Sequence, residues 1–230
     1  MHQLTGTIVF ALALLFLNVT NGLRYAVDSS ALVSVDIYRK AKGQGFKKAI
    51  IRGYQEACSK GGQVDPMFVK SYSNARAAGY TDIDMYWFPC SGANNNCKSF
   101  DTQLSEIASV FQANSMEIGR IWVDIEWDTR YCNNWNYGAA NNLVVARELI
   151  KAIQVSGFKY GIYSSPGEWA NIFGSRGVVL DNTAPLWFAT FNNVETLTLT
   201  TPFGGWTSAI GHQYIDKSAS GLFDLNVFED

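Results

Sequence analysis

The chain has 230 residues, 47% of them apolar and 17% charged, which supplies a sizeable core and leaves no compositional case for disorder. Its formal net charge of -2 argues against nucleic acid as a principal partner, because binding a phosphate backbone calls for a basic surface. Seven Trp, eleven Tyr and fourteen Phe serve a core and equally suit stacking on sugar rings.

The N-terminus reads as a leader. "IVFALALLFL" (8 to 17) is an apolar run of signal-peptide length, short of the roughly 20 residues a membrane span needs. Thr20 and Gly22 follow at cleavage spacing, so residues 1–22 are expected to leave as a signal peptide and 23–230 to form the mature domain. The start "MHQLTGT" lacks Lys or Arg, which keeps an uncleaved anchor or a buried first helix open as alternatives. No second apolar run is long enough to span a membrane, so no stable membrane association is expected. Four cysteines, Cys58, Cys90, Cys97 and Cys132, fit an oxidising compartment. Of their three possible pairings, the preferred one closes the short loop "CSGANNNC" (90 to 97) and ties Cys58 to Cys132. A zinc site is the rival, but the mature chain has a single histidine, His212, and no C-x-x-C. The sequon Asn18-Val19-Thr20 would leave with the leader, so no N-glycan is expected.

Past residue 22 the pattern alternates. "LRYAVD" (23 to 28) reads as a strand ending in an acid, and "SVDIYRKAKGQG" as a helix with Ser34 as N-cap. "FKKAIIRGYQ" (46 to 55) is a buried strand. "DPMFVKSYSNARAAG" (65 to 79) is a helix: Asp65 caps it, Pro66 fits the first turn, Phe68, Tyr72 and Ala75 share a face, and Gly79 closes it. "DIDMYWFP" (82 to 89) is the next strand. A helix over 100 to 115 carries Leu104, Ile107, Ala108 and Phe111 at helical spacing, and "IGRIWVDIEW" is the fourth strand. A helix over about 138 to 156 stacks Leu143, Ala146, Ile150 and Ile153 before Gly157. "FKYGIYSS", "APLWFATFN", "GHQYID" and "LFDLNVF" complete the strands, with helices hard to find after residue 170. Alternation without a composition break predicts one domain on a parallel sheet, doubly wound or closed into a barrel irregular on its last side. No G-x-G-x-x-G or Walker motif follows a strand, which weakens the nucleotide-binding open sheet.

The stretch "RIWVDIEWD" (120 to 128) sets Asp124, Glu126 and Asp128 among bulky apolar residues, although a buried charge costs several kcal/mol unless paired or used. In a strand, residues two apart share a face, so Trp122, Asp124 and Glu126 point one way and Ile121, Val123, Ile125 and Trp127 the other. In a barrel the first set projects inward, with its acids at the C-terminal end, where barrel active sites lie. Carboxylates about 6 to 7 Å apart along one strand face raise one another's pKa, giving one protonated and one ionised acid, the division glycosidic cleavage requires. An acid pair at a strand end is otherwise simply solvated or salt-bridged. Asp128 has the other parity and reads as the structural start of a loop. Asp28 ends the first strand and Asp224 sits in the last; barrel closure makes those strands neighbours, so both acids can reach the same mouth.

The ordered set "AVDSS", "WVDIEWD" and "FDLNVF" resembles glycoside hydrolase family 25, the Chalaropsis-type lysozymes, nearest in pattern to its invertebrate and protist members. The likeness covers essentially all of the mature chain, with "VDPMFVKSYSNARAAGY", "GIYSS" and "LWFATF" resembling the family's second helix and later strands. It implies a single irregular TIM-like (β/α) barrel with fewer helices than strands, no metal and no organic cofactor. The implied activity is hydrolysis of the N-acetylmuramic acid to N-acetylglucosamine linkage of peptidoglycan. By position, Glu126 would be the general acid/base, and Asp124 would attack the anomeric carbon or orient the sugar's acetamido group to do so. Asp28 and Asp224 would hold the reacting groups and tune their protonation.

Tyr86, Tyr163 and Trp187, with Gln213 nearby, stand at matching places as candidate substrate-binding residues, each equally at home in a core. Where bacterial members carry a His-rich turn after the first acid, this chain has "SSALVS". Inward parity for Tyr86 also turns Asp84 inward, read as a structural acid partnered by Arg52 or Arg120. The resulting expectation is a secreted, monomeric muramidase, outside the cell or in a lysosome-like or digestive lumen, serving antibacterial defence or digestion. Alternatives are a chitinase-like glycosidase and a non-catalytic glycan-binding protein on the same barrel.

Overall fold

The computed structural model describes residues 22–128, 132–217 and 221–230. The expected leader, but for Gly22, lies outside the described residues, and no described helix is long and apolar enough to cross a membrane. The strands are β1 (Leu23–Ser29), β2 (Lys48–Gln55), β3 (Gln63–Val64), β4 (Asp82–Trp87), β5 (Ile121–Asp124), β6 (Tyr160–Ser164), β7 (Leu186–Ala189), β8 (Gly211–Ile215) and β9 (Asp224–Glu229). The helices are α1 (Val35–Gly43), α2 (Phe68–Ala77), α3 (Phe100–Ala113), α4 (Ala139–Val155) and α5 (Pro166–Phe173).

The sheet runs β1-β9-β8-β7-β6-β5-β4-β2 and closes through β1–β2, an eight-stranded barrel with β3 hairpinned onto β2. Five described helices serve eight barrel strands, fewer helices than strands as the family resemblance implies. Among the eight barrel strands the expected parallel pairing holds except at β9, which is antiparallel to both β1 and β8. That reversal brings the N-terminal residue of β9 to the rim where the parallel strands end, and Asp224 pairs in register with Asp28.

Local chemistry sets the helix ends. Ser34 Oγ accepts from the Ile37 amide at the start of α1, and Ser99 Oγ from Thr102 at the start of α3. Asp65 does not cap α2 as expected: Met67 stands at the cap with no side-chain cap bond, Pro66 precedes the helix, and Asp65 accepts from the Met67 amide at 2.8 Å in the turn before it. The sequence reading missed α5, where Ser165 caps Glu168 and Pro166 takes the first turn. No α-helix follows Phe173 among the described residues, so the barrel is irregular on that side.

Outward residues such as Val27, Ile51, Ile83, Val123 and Ile162 pack beneath the helices. The interior is filled by Ala26, Ile50, Trp122, Tyr163, Trp187, Ala189 and Phe228. Their rings meet at 4.4 Å for Tyr163–Trp187, 5.6 Å for Trp122–Trp187 and 5.9 Å for Trp187–Phe228. Glycines make room for them: a Cβ at Gly161 would stand 2.5 Å from the Trp122 ring, and one at Gly211 would collide with Phe228. Below this plug, at the N-terminal ends of the strands, the charges are paired. Lys48 bridges Asp84 at 2.7 Å and Asp82 at 2.9 Å, Arg24 holds Asp82 at 2.8 Å, and Trp122 Nε1 donates to Asp84 at 2.9 Å. Asp84 is thus an inward, buried acid, but its ion-pair partner is Lys48, aligned by the β2–β4 register. Arg52 instead binds Asp65, and Arg120 donates to the Tyr160 carbonyl.

Both disulfides of the preferred pairing are formed, Cys58–Cys132 and Cys90–Cys97, which uses up the thiols a zinc site would need. His212 is buried and stacked on Phe188, its ring nitrogens 2.7 Å from the Thr196 carbonyl and 3.0 Å from that of Thr190.

Candidate active site

The rim above the aromatic plug collects acids from separate parts of the chain. Asp28 ends β1, Asp124 ends β5, and Asp224 opens β9. Glu126 lies two residues past β5, because the strand closes earlier than its apolar pattern suggests. For the same reason Trp127 does not continue the outward face: it stands 45% exposed rather than under the helices.

Asp28 is buried, with 4% of its surface exposed. Its Oδ2 accepts from Asn226 Nδ2 at 2.7 Å and from Gln213 Nε2 at 2.9 Å. Each amide is turned toward the acid by an aromatic donor. Trp187 Nε1 gives its proton to Asn226 Oδ1 at 2.9 Å, and Tyr163 Oη to Gln213 Oε1 at 2.7 Å. An indole N–H can only donate, so the Asn226 oxygen must face Trp187 and its NH₂ must face Asp28. Burial and the charge of Asp224 push the Asp28 carboxyl up to about 8, against the pull of these two amides.

Asp124 is also buried, and its Oδ1 meets no hydrogen-bond partner. Burial first, then the charges of Glu126, Glu56, Glu168 and Asp28, raise its carboxyl well above the ordinary range. Asp224 is raised by burial, while the Lys217 amide, 2.7 Å away, draws it down. Glu126 is partly exposed and opens onto a groove of ≈ 340 Å³ lined also by Ser165, Pro166, Gly167, Glu168, Ala189, Thr190 and Phe191. Tyr86 lies within reach of Asp28, Asp124 and Glu126, whose charges add to burial in lifting its phenol well above normal.

The four acids therefore share one rim, and their surroundings differ. Tyr163, Gln213 and Trp187 fall directly beneath it, in the hydrogen-bond chain around Asp28. Trp187, 1% exposed, presents no face to the groove. Asp128 is buried in the loop, its amide held by Asn134. Sequence reasoning missed two further acids. Glu56, just past β2, is pushed up to about 8 by burial, against a hydrogen bond from Asn134. Glu168 of α5 is raised by burial, against the Trp127 amide that it accepts. Among the described residues no three His, Cys, Asp or Glu side chains are grouped as metal ligands.

A filled barrel with unequal carboxyls on its C-terminal rim has the frame of a glycosidase. Residues 19–214 match a family model described as lysozyme-like protein 1. Among curated relatives, a probable GH family 25 lysozyme 4 of Dictyostelium discoideum is 33% identical over 84% of this chain and 84% of its own length. Lysozyme-like protein 5 of Caenorhabditis elegans is 31% identical over 91% of this chain and 92% of its own. The fold is that of a family GH25 lysozyme from Aspergillus fumigatus, with a TM-score of 0.69 at 16% identity, covering 91% of this chain and 95% of that one. The chain belongs to the glycoside hydrolase family 25 lysozymes and is a glycoside hydrolase of the muramidase type, with relatives in protists and invertebrates.

Proposed function

We propose that the protein is a secreted, monomeric N-acetylmuramidase that cleaves the β-1,4 linkages of bacterial peptidoglycan, in antibacterial defence or bacterial digestion. The observation that carries this reading is the gathering of Asp28, Asp124, Glu126 and Asp224 on one rim in unequal environments. Glu126, the one of these four acids that lines the groove, is the general acid/base: it protonates the leaving oxygen and then activates water. Asp124, buried with one free oxygen, suits the role of orienting the substrate's acetamido group better than that of a nucleophile that must reach the anomeric carbon. Asp28 and Asp224 hold the charge balance of the pair, with Gln213, Tyr163 and Trp187 fixing Asp28 from below and Tyr86 facing the sugar. The apolar leader and the two disulfides support export to the cell exterior or a digestive lumen.

The test is to incubate purified wild-type and Glu126→Gln protein with bacterial peptidoglycan and identify the new reducing ends. Muramic-acid ends from the wild type alone are expected, with both proteins melting alike. Lysis by Glu126→Gln at the wild-type rate ends this reading. Release of fragments from chitin but not peptidoglycan replaces it with a chitinase, and sugar binding without turnover replaces it with a lectin-like role.

A further inference from the structure

The segment that carries Glu126 lies just beyond the end of β5. The last ladder bond of β5 runs from the Ile125 amide to the Tyr163 carbonyl at 3.0 Å. Beyond it, side chains take over the backbone groups. Ser164 Oγ donates to the Ile125 carbonyl at 2.7 Å, and Asn134 Nδ2 to the Glu126 carbonyl at 2.9 Å. The Trp127 amide donates to Glu168 Oε2 at 2.8 Å, and the Asp128 amide to Asn134 Oδ1 at 2.7 Å. The Asn134 amide closes the loop on the Asp128 carbonyl at 3.3 Å. Six of the eight backbone groups of residues 125–128 thus have named partners, five of them beyond the strand ladder.

Asn134 is itself held. It is wholly buried, and its side chain also hydrogen-bonds Glu56. Cys132, two residues before it, is joined to Cys58, two residues after Glu56. Glu168 is fixed from its own side, where Ser165 Oγ accepts its amide at 3.0 Å at the start of α5.

We propose that Asn134 and Glu168 are positioning residues that fasten the backbone of residues 126–128 beyond the strand ladder, so that the Glu126 carboxyl stands at a fixed height over the groove. The proposal rests on Glu126 being the proton donor. A displacement of about 1 Å at a reacting group costs on the order of a hundredfold in rate, so a clamp on this segment acts on kcat more than on binding. Glu168 needs only an acceptor oxygen for this role, and glutamine supplies one.

The experiment compares wild type, Asn134→Ala, Glu168→Ala and Glu168→Gln by backbone hydrogen exchange over residues 124–128 and by steady-state hydrolysis of peptidoglycan. Both alanine variants should lose protection in that segment, with kcat down roughly ten- to a hundredfold and KM little changed; Glu168→Gln, which keeps the acceptor oxygen, should keep the wild-type protection. Wild-type protection in both alanine variants, or equal protection with Ala and with Gln at 168, overturns the proposal. Should Asn134→Ala fail to fold, the Glu168 pair decides alone. Should the wild type prove inactive on peptidoglycan, the functional reading fails while the exchange measurement still decides whether the clamp exists.

Discussion

Replacing Asp28 with asparagine should make the protein more stable at neutral pH and flatten its dependence on pH. The carboxyl of Asp28 moves from an ordinary 3.8 to about 8 in the fold. Between those values the native state keeps a proton that the unfolded chain has released. Stability is therefore fully present below 3.8 and lost as pH rises toward 8, at roughly 1.4 kcal/mol per pH unit for one group. From pH 5 to pH 7 the loss is about 2.7 kcal/mol, or roughly 5 to 11 °C in melting temperature for a domain of this size. Asparagine mimics the neutral acid: its oxygen can accept from both Gln213 and Asn226, and it does not titrate. Melting curves of wild type and Asp28→Asn at pH 5, 6 and 7 test this directly. The variant should already lie higher at pH 5, by about 1.7 kcal/mol, and the gap should widen to about 4.4 kcal/mol at pH 7. Parallel profiles across that range would refute the reasoning, because Asp28 would then be as ionised in the fold as out of it.

The two disulfides should differ in worth. Cys58–Cys132 closes a separation of 74 residues and Cys90–Cys97 one of 7, so loop-closure entropy gives about 4.5 and about 2.4 kcal/mol. Urea unfolding of the paired serine variants should rank them in that order. Lys48→Met leaves buried Asp84 without its cation and should cost about 3 to 5 kcal/mol, while the double variant with Asp84→Asn loses less than Lys48→Met alone. A double-mutant cycle by urea unfolding measures that coupling, and strict additivity would contradict it.

Most of the architecture was legible because strand and helix signals are local. Eight strands and four of the five helices follow from periodicity, caps and alternation. The closure of first strand on last comes instead with the family resemblance, since alternation alone fits a doubly wound sheet equally well. The direction of β9 does not show in its own residues, since a half-buried strand reads the same either way. It shows in the connection: segment 216–223 is shorter than the dozen or more residues a parallel crossover needs, so β9 had to return antiparallel. Likewise α5 carried a Ser-Pro-Gly-Glu start that could have been read as a capping box. The partner of Asp84 could not be guessed by proximity in sequence. Lys48 and Asp82 are cross-strand neighbours, and that register exists only once the barrel has closed.

The rim acids were legible for a simple reason: a carboxylate at the end of an apolar strand is conspicuous. Glu56, Asn134 and Glu168 were not, because each sits in an ordinary polar loop or helix start and acquires its role from a backbone group far along the chain.

The two ends of the barrel treat acids in opposite ways, and this fixes how stability must vary with pH. At the base, burial would raise Asp82, but Lys48 and Arg24 prevail and hold it below its ordinary range. Its contribution is present above 3.8 and fades as pH falls through its lowered pKa. At the mouth, Asp28, Glu56, Asp124, Asp224 and Glu168 are all raised, so stability is lost as pH rises from about 4 toward 8. One set penalises strong acid and the other penalises neutrality, so the wild-type melting temperature should peak on the weakly acidic side, near pH 4 to 5. A maximum at or above pH 7 in the wild-type melting series would mean that the mouth carboxyls ionise freely. The unequal protonation on which the proposed chemistry depends would then be absent.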